Sequence, residues 1–312
     1  DDAITLALRP EATAGAVRAY IQHGMRSQPH PVRLATVAQL FRYDRPQKGR
    51  YRQFTQFDIE AIGDGGPGID LEVIELGAAY LRELGLTDVQ VHLNSVGCAT
   101  CRPAYVETLR AHFTPAAQEL SEVDQSRLAT NPLRLLDSKE PAAVKRAASA
   151  PVITDHLCAD CAAHYAAVTA GLATIGTTVL PAPRLVRGLD YYTGTIYETF
   201  LTNLPGIGSV CSGGRYDNLT GIFGVPGLSG VGISFGLDRI VLCLEELNRV
   251  PSLASGPQVL VVQFSDADAD YAYLVASDLR AAGVRTVLYP EPAKIKKQFD
   301  HAERIGASWV AL

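Results

Sequence analysis

Between Phe41 and Glu60 the chain reads FRYDRPQKGRYRQFTQFDIE, and its second half alternates. Arg52, Gln56, Asp58 and Glu60 fall on one face of an extended strand, while Tyr51, Phe57 and Ile59 fall on the other. Pro46, Gln47, Lys48 and Gly49 supply the turn chemistry between two strand-like runs, so a hairpin with one polar and one apolar face is predicted. Upstream, the Ala, Val and Ile spacing of AGAVRAYIQHG predicts a helix closed by Gly24, with Thr13 as its N-cap. Downstream, Asp70 to Gly85 reads as an amphipathic helix and Val89 to Leu93 as a strand. From Gly97 to about Tyr165 the pattern turns helical and polar, as in an inserted module. RVPSLASGP, Arg249 to Pro257, is a linker by its Pro, Ser and Gly content. Beyond it VLVVQF, DADADYAYLVASDLRAAG, VRTVLYP, AKIKKQFDHAERIG and SWVAL alternate strand and helix, the signature of a parallel α/β layer. That layer stops at a strand, so an incomplete domain is expected.

The polar face of the hairpin changes the picture from fold to chemistry. A solvent-facing hairpin edge ordinarily carries Thr or Ser; here it carries an arginine, an amide and two carboxylates, with Arg42, Arg45, Lys48 and Arg50 arriving from the partner run and the loop. Such a face can hold a ligand that is both anionic and cationic, for instance an amino acid beside a nucleotide phosphate. A solvated edge laced with salt bridges accounts for the same charges equally well.

Composition narrows the class. With 312 residues, 47% of them hydrophobic, and a mean hydropathy of +0.07, the chain has room for two or three globular domains. No apolar run approaches the roughly 20 residues that span a bilayer, and DDAITLALRP lacks the marks of a signal peptide, so a cytoplasmic protein with no membrane partner is expected. A net charge of −5 argues against a broadly basic nucleic-acid binder and leaves only local patches for RNA. Cys98-x-x-Cys101 and Cys158-x-x-Cys161 each offer two thiolates, and four complete a tetrahedral zinc shell with no open position, hence a structural site. Redox exchange or unpaired thiols is the other reading of that spacing, and His156 and His164 are the alternative ligands. Cys211 and Cys243 stand alone and are expected to pack as small hydrophobes. SGVGISFG does not keep dinucleotide-loop spacing, so close strand packing explains its glycines better. Lys294, Lys296 and Lys297 read as a solvated helix face.

FRYDRPQKGRYRQF closely resembles motif 2 of the class II aminoacyl-tRNA synthetases, in the form found in histidyl-tRNA synthetases. LRPEATAG (Leu8 to Gly15) resembles that family's amino-acid-binding loop, and RGLDYYTGTIYE (Arg187 to Glu198) its histidine-specific signature. SGGRYDNLTG followed by GISFGLDR, ending at Arg239, resembles the tyrosine-bearing strand and motif 3. The resemblance spans nearly the whole chain in the family's order. Motif 1, which precedes the LRPE loop in the family, is absent, so the chain is expected to begin inside the catalytic domain.

The resemblance implies an α+β class II catalytic domain over residues 1–97 and 166–248, an antiparallel sheet flanked by helices. It further implies an inserted helical module at 98–165, a linker at 249–257 and a partial anticodon-binding α/β domain at 258–312. It implies ATP-dependent activation of L-histidine to histidyl-adenylate and transfer to tRNA(His) by a homodimer, with Mg²⁺ travelling with ATP; the insertion is expected near the tRNA acceptor stem. Arg42, Arg187 and Arg239 match the arginines that stabilise the reacting phosphates and carboxylate. Glu11, Ala12, Thr13 and Gln56 match the pocket for the substrate's α-ammonium, where the residues alone would read Glu11 and Thr13 as helix caps. Glu60, Tyr191 and Tyr192 match residues around the imidazole, and Tyr216 is placed with them, a packed core tyrosine being its other reading. Asp44 and Arg50 join Arg42 and Arg239 on the ATP side, Asp44 standing where many relatives carry glutamate. Zinc is not a general feature of the family, so the metal expectation rests on cysteine spacing alone. The rival is a synthetase-like regulatory subunit of the first enzyme of histidine biosynthesis, against which stand the retained Glu11, Gln56, Glu60 and Arg187 and the continuation past the linker.

Overall fold

The computed structural model describes residues 6–250 and 256–312, in two compact units, Asp1–Val250 and Pro251–Leu312. Most of the expected linker, and the first five residues of the chain, lie outside the described residues.

The first unit is built on a seven-stranded sheet. Its strands are β1 (Val32–Phe41), β2 (Gln53–Ile62), β3 (Val89–Ser95), β4 (Val179–Pro181), β5 (Thr193–Leu201), β6 (Cys211–Arg215) and β7 (Gly230–Gly236), in the order β1-β2-β7-β6-β5-β3-β4. All neighbours are antiparallel except β3 and β4, which run parallel because helix α6 (Ala159–Thr174) brings the chain back before β4. The sheet is therefore antiparallel as expected, apart from this one parallel pair at its edge.

Alternation along the strands sorts the two faces of the sheet. Phe57, Ile59, Ile233 and Phe235 turn toward helix α2 (Pro67–Glu83) and the main core. There Phe57 stacks on Phe235 at 5.6 Å, and Tyr80 meets Phe235 edge-on at 4.8 Å. Gly77 lets α2 come down onto the sheet, since a Cβ there would lie 2.4 Å from Ile233 Cδ1. The helix starts at Pro67, three residues earlier than its hydrophobic pattern indicates, because Pro needs no hydrogen bond in a first turn. It ends on Gly85, left-handed at φ 82°, with Leu86 N–H donating to the Leu81 carbonyl.

The β1–β2 register runs from Val32 opposite Ile62 to Phe41 opposite Gln53, so 42–52 form a longer loop than the four-residue turn expected. Arg42 N–H still reaches Arg52 O at 2.9 Å, and the tight reversal is confined to Gln47–Arg50 around left-handed Gly49. Helix α1 (Thr13–Gln22) has Ala12, not Thr13, at its N-cap. Thr13 is the buried first helical residue, and the Glu11 carboxylate accepts the Ala14 N–H instead.

The inserted stretch carries its own small core of Tyr105, Leu109, Phe113, Leu128, Leu135 and Ile153, formed by helices α3 (Arg102–Phe113), α4 (Glu122–Thr130) and α5 (Pro141–Ala147) with the short turns between them. Residue 165 falls in the middle of α6. The later half of that helix sends Val168 and Leu172 into the main core, so the chain rejoins the catalytic unit within a helix rather than at its end. Helices α7 (Leu219–Ile222) and α8 (Leu237–Glu246) flank β7 and complete the unit.

The second unit is a three-stranded parallel sheet, order β10-β8-β9, of β8 (Val259–Val261), β9 (Thr286–Leu288) and β10 (Trp309–Ala311), linked by helices α9 (Ala269–Ala281) and α10 (Ile295–Arg304). In its core the Gln298 side-chain amide accepts the Gln263 backbone N–H at 3.0 Å and donates to the Gln263 carbonyl at 2.6 Å. Lys294 caps α10, and Lys297 pairs with Glu291 at 3.2 Å in solvent. No helix among the described residues is long and apolar enough to cross a membrane.

Candidate active site

The face of the sheet opposite α2 carries a transverse polar row. Glu198 on β5 pairs with Ser212 on β6, Ser212 with Ser234 on β7, and Ser234 with Asp58 on β2. Directly paired residues point to one side of a sheet, so Glu198, Ser212 and Ser234 form a floor, with Asp58 buried at its end. Two residues further along, the same strands present Ile196, Gly214, Gly232 and Glu60. The glycines there make room: a Cβ on Gly232 would lie 1.8 Å from Glu60 Oε2.

Above the floor lies a cavity of about 500 Å³, lined among others by Arg42, Asp44, Arg50, Gln56, Arg187 and Arg239. Each arginine is held by a different part of the fold. Arg42 Nε donates to Pro10 O at 2.8 Å, tying the Leu8–Gly15 loop to the hairpin, and its guanidinium stacks on Phe54 at 4.9 Å. Arg187 donates to Glu198 Oε1 at 2.6 Å and Ser212 Oγ at 2.9 Å, above the Tyr192 ring. Its Nε is buried without a partner among the described residues. Arg239, in the first turn of α8, donates to Gly49 O at 2.7 Å and Ser209 O at 2.5 Å. Asp44 pairs with Arg50 at 3.1 Å on the rim. Desolvation lowers the pKa of both Arg42 and Arg239, and neighbouring guanidinium groups lower them further: Arg187 acts on Arg42, and Arg50 and Arg42 on Arg239. Asp44 offsets part of this at Arg42 and Glu198 part of it at Arg239.

Next to it is a closed cluster. Glu60 is 1% exposed and accepts the Tyr216 hydroxyl at 2.6 Å. Burial pushes its carboxyl up to about 8, against the lowering effect of hydrogen bonds from Tyr216 and Thr13, with Asp58 and Glu11 adding repulsion. Tyr191 donates to Glu11 Oε2 at 3.4 Å and meets the Tyr216 ring edge-on at 6.2 Å. Tyr192 underlies Arg187. Of the two readings of the hairpin's polar face, the solvated edge does not hold at Asp58 and Glu60, which are interior, and holds at the Arg52 end, where exposed Arg52 stacks on Tyr43 at 4.6 Å.

A buried ion pair stands behind this cluster. Arg215, 3% exposed, binds Asp70 Oδ2 of α2 at 2.6 Å and Asp217 Oδ1 at 3.0 Å, bracketing Tyr216. Thr193 hydroxyl completes the bracket through Asp217 Oδ2 at 2.9 Å. His164 approaches the same Asp70 oxygen at 3.2 Å.

Sequence reasoning missed several residues of the site. Arg134 and Asp137 of the insertion line the cavity, and Arg134 donates to Arg187 O at 3.3 Å; their stretch, NPLRLLD, carries no local mark of this. Glu198, Ser212 and Ser234 sit on strands whose alternation could have flagged them.

Cys98, Cys101, Cys158 and Cys161 converge, all four sulfurs lying within 4.8 Å of one another. Sγ of Cys98 is 3.7 Å from Cys101 and 3.8 Å from Cys158. A tetrahedron with metal–sulfur bonds of about 2.3 Å has edges of about 3.8 Å, so the sulfurs fit a zinc shell. His156 packs on Tyr105 and His164 on Asp70, so neither completes the group.

The family model described as histidyl-tRNA synthetase matches residues 2–240, and one described as an anticodon binding domain matches 258–312. The chain belongs to the histidyl-tRNA synthetase family. It is 41% identical over 308 residues to a histidine–tRNA ligase of Moorella thermoacetica, covering 99% of this chain and 73% of that one. The crystal structure of apo histidyl-tRNA synthetase from S. aureus matches with TM-score 0.79 at 35% identity, over 97% of this chain and 74% of that one. A Bacillus halodurans structure titled as an ATP phosphoribosyltransferase regulatory subunit/histidyl-tRNA synthetase matches at TM-score 0.65 and 25% identity, over 97% and 78%. The sheet face described above has a closed end with hydrogen-bonding carboxylates and an open end lined by several guanidinium groups.

Proposed function

We propose that this chain activates L-histidine with ATP, forming histidyl-adenylate and pyrophosphate, and passes the acyl group to tRNA(His). The observation that carries this reading is that one face of β2 carries both Glu60, hydrogen-bonded to Tyr216 in the interior, and Gln56, which lines a cavity walled by Arg42, Arg187 and Arg239. The imidazole has one N–H and one lone pair, which Glu60 and a tyrosine hydroxyl can meet together. Leaving either group unpaired on a near-cognate side chain gives discrimination on the order of 10⁴. The substrate carboxylate comes to Arg187 and Arg42 and attacks the α-phosphorus as pyrophosphate leaves. Negative charge gathers on the phosphate oxygens, so fixed guanidinium groups lower the barrier by being already oriented. Arg239 and Arg50 take the outer phosphates, with Asp44 beside the base. Mg²⁺ enters with ATP. Glu11, Ala12, Thr13 and Gln56 frame the α-ammonium.

The retained histidine-end side chains favour charging over the regulatory alternative. Zinc on Cys98, Cys101, Cys158 and Cys161, a homodimer and a cytoplasmic location are parts of the same proposal. Amino-acid-dependent ATP–pyrophosphate exchange on the intact protein tests the activity: exchange with histidine alone among the standard amino acids is expected, and a folded, histidine-binding protein with no exchange would return the regulatory alternative. For the metal, about one zinc per chain is expected by elemental analysis, and strong chelation should lower the melting temperature.

A further inference from the structure

Asp58 is the one buried carboxylate of the site to which the family resemblance gives no work. It is 1% exposed, and neither of its oxygens has a hydrogen-bond partner among the described residues. Its place is fixed by alternation and register. It stands between Gln56, which lines the cavity, and Glu60, which closes the far end, and opposite Ser234, another lining residue. All three point to the cavity side, so Asp58 does too.

An unpaired carboxylate in such a place is unfavourable unless something arrives to satisfy it. Burial raises its pKa to about 6; the Ser234 hydroxyl across the strand pair, close enough to favour the charged form but outside hydrogen-bond geometry, offsets part of that, Glu11 adds to it and Arg42 lowers it. The charged groups around it are therefore Glu11 and Arg42, with Glu60 two residues along. Glu11, the other carboxylate near this point, is already engaged. Its two oxygens accept the Ala14 N–H at 3.3 and 3.1 Å, and Oε2 also accepts the Tyr191 hydroxyl. Gln56 is neutral. A ligand ammonium entering between them has three donors and a full charge to place, and the largest unspent accepting capacity is on Asp58.

We propose that Asp58 is a substrate-binding residue that receives the α-ammonium of the amino acid, as principal counter-charge alongside Glu11. The inference rests on the reading of the site as a histidine-activating one. It accounts for a buried carboxylate with no hydrogen bond on the cavity side of the sheet, next to the lining residues Gln56 and Ser234: the substrate supplies its partner, and a ligand without an ammonium does not.

The test compares L-histidine with imidazolepropionate, which lacks only the amino group, on the full chain and on Asp58→Asn. The ratio of the two affinities on one sample is independent of the fraction folded. Asp58→Asn is expected to weaken histidine by about 10- to 100-fold, the loss of one charge-assisted contact. Imidazolepropionate should change less than about 2-fold, and ATP affinity should be unchanged. In exchange kinetics the loss should appear in KM for histidine. Asp58→Ser, smaller and equally uncharged, should give the same ratio if Asp58→Asn folds poorly. Equal losses for both ligands, or none for histidine, overturn the role of Asp58 and leave the functional reading standing. Wild-type protein that binds no histidine overturns the functional reading and this inference with it.

Discussion

The two ends of the site are built from one hairpin and differ in how far water has been removed. At the closed end, β2 carries Asp58 and Glu60 into the interior, and burial drives both carboxyl groups above their usual range. At the open end, the loop after β1 carries Arg42, Asp44 and Arg50 around the cavity, where cations crowd one another. The closed end is preorganised by hydrogen bonds and can select; the open end is preorganised by charge and can stabilise a polyphosphate. On the proposed function, selection and catalysis fall at opposite ends of about twenty residues, with Arg187 reaching across from β5's approach to join them.

The largest effect should come from loosening the closed end from behind. Asp70→Ala leaves Arg215 buried, with Asp217 as its only remaining carboxylate, at a cost of about 3–5 kcal/mol by the usual penalty for breaking a buried pair. Urea unfolding measures it. Because Arg215 and Asp217 bracket Tyr216, histidine binding should fall with stability while the arginines of the open end stay in place. A loss below about 1 kcal/mol would show that the pair is not what holds the bracket.

Arg187 is the link between the ends, so its removal separates them. Arg187→Ala should lower histidine-dependent exchange by about 100-fold or more, by analogy with losing one preorganised donor at a developing charge. Histidine and ATP should still bind singly. A near-normal rate would place the join elsewhere.

Glu60→Gln changes only the closed end. Histidine affinity should drop by about 10-fold or more, with ATP affinity nearly unchanged. The pH dependence of stability offers a second readout. The folded protein holds the Glu60 proton up to about pH 8, whereas an ordinary glutamate releases it near 4.5. The stability tied to that proton is complete below about 4.5 and is lost as pH rises through about 8. Replacing the acid by an amide removes this slope. The melting temperature of Glu60→Gln relative to wild type should therefore climb between those two pH values and level off above.

Much of this contrast was legible as residue types and little of it as environment. Alternation placed Gln56, Asp58 and Glu60 on one face correctly, because the two-residue period is a property of any strand. It could not say that the face was interior, since burial depends on β7 and the Leu8–Gly15 loop packing from distant parts of the chain. The paired CxxC spacing announced four converging thiols, whereas Arg134 and Asp137 reach the cavity only through the insertion's tertiary placement. Helix ends were read well where a glycine must be left-handed, as at Gly85, and badly at Thr13, where a neighbouring carboxylate did the capping.

The smallest effect belongs to the open rim. Arg50 and Asp44 pair at 3.1 Å with both side chains more than a third exposed, so water and salt screen them. Arg50→Ala should change unfolding free energy by less than about 1 kcal/mol. If the open end works through summed charge rather than through one contact, KM for ATP should still rise a few-fold, because Arg50 is one of several cations around the cavity. That rise should shrink in high salt, whereas the effect of Glu60→Gln on histidine should not, since an interior hydrogen bond lies beyond the reach of mobile ions. Equal salt sensitivity at both ends would mean that the closed end admits water, and the distinction drawn between them would fail.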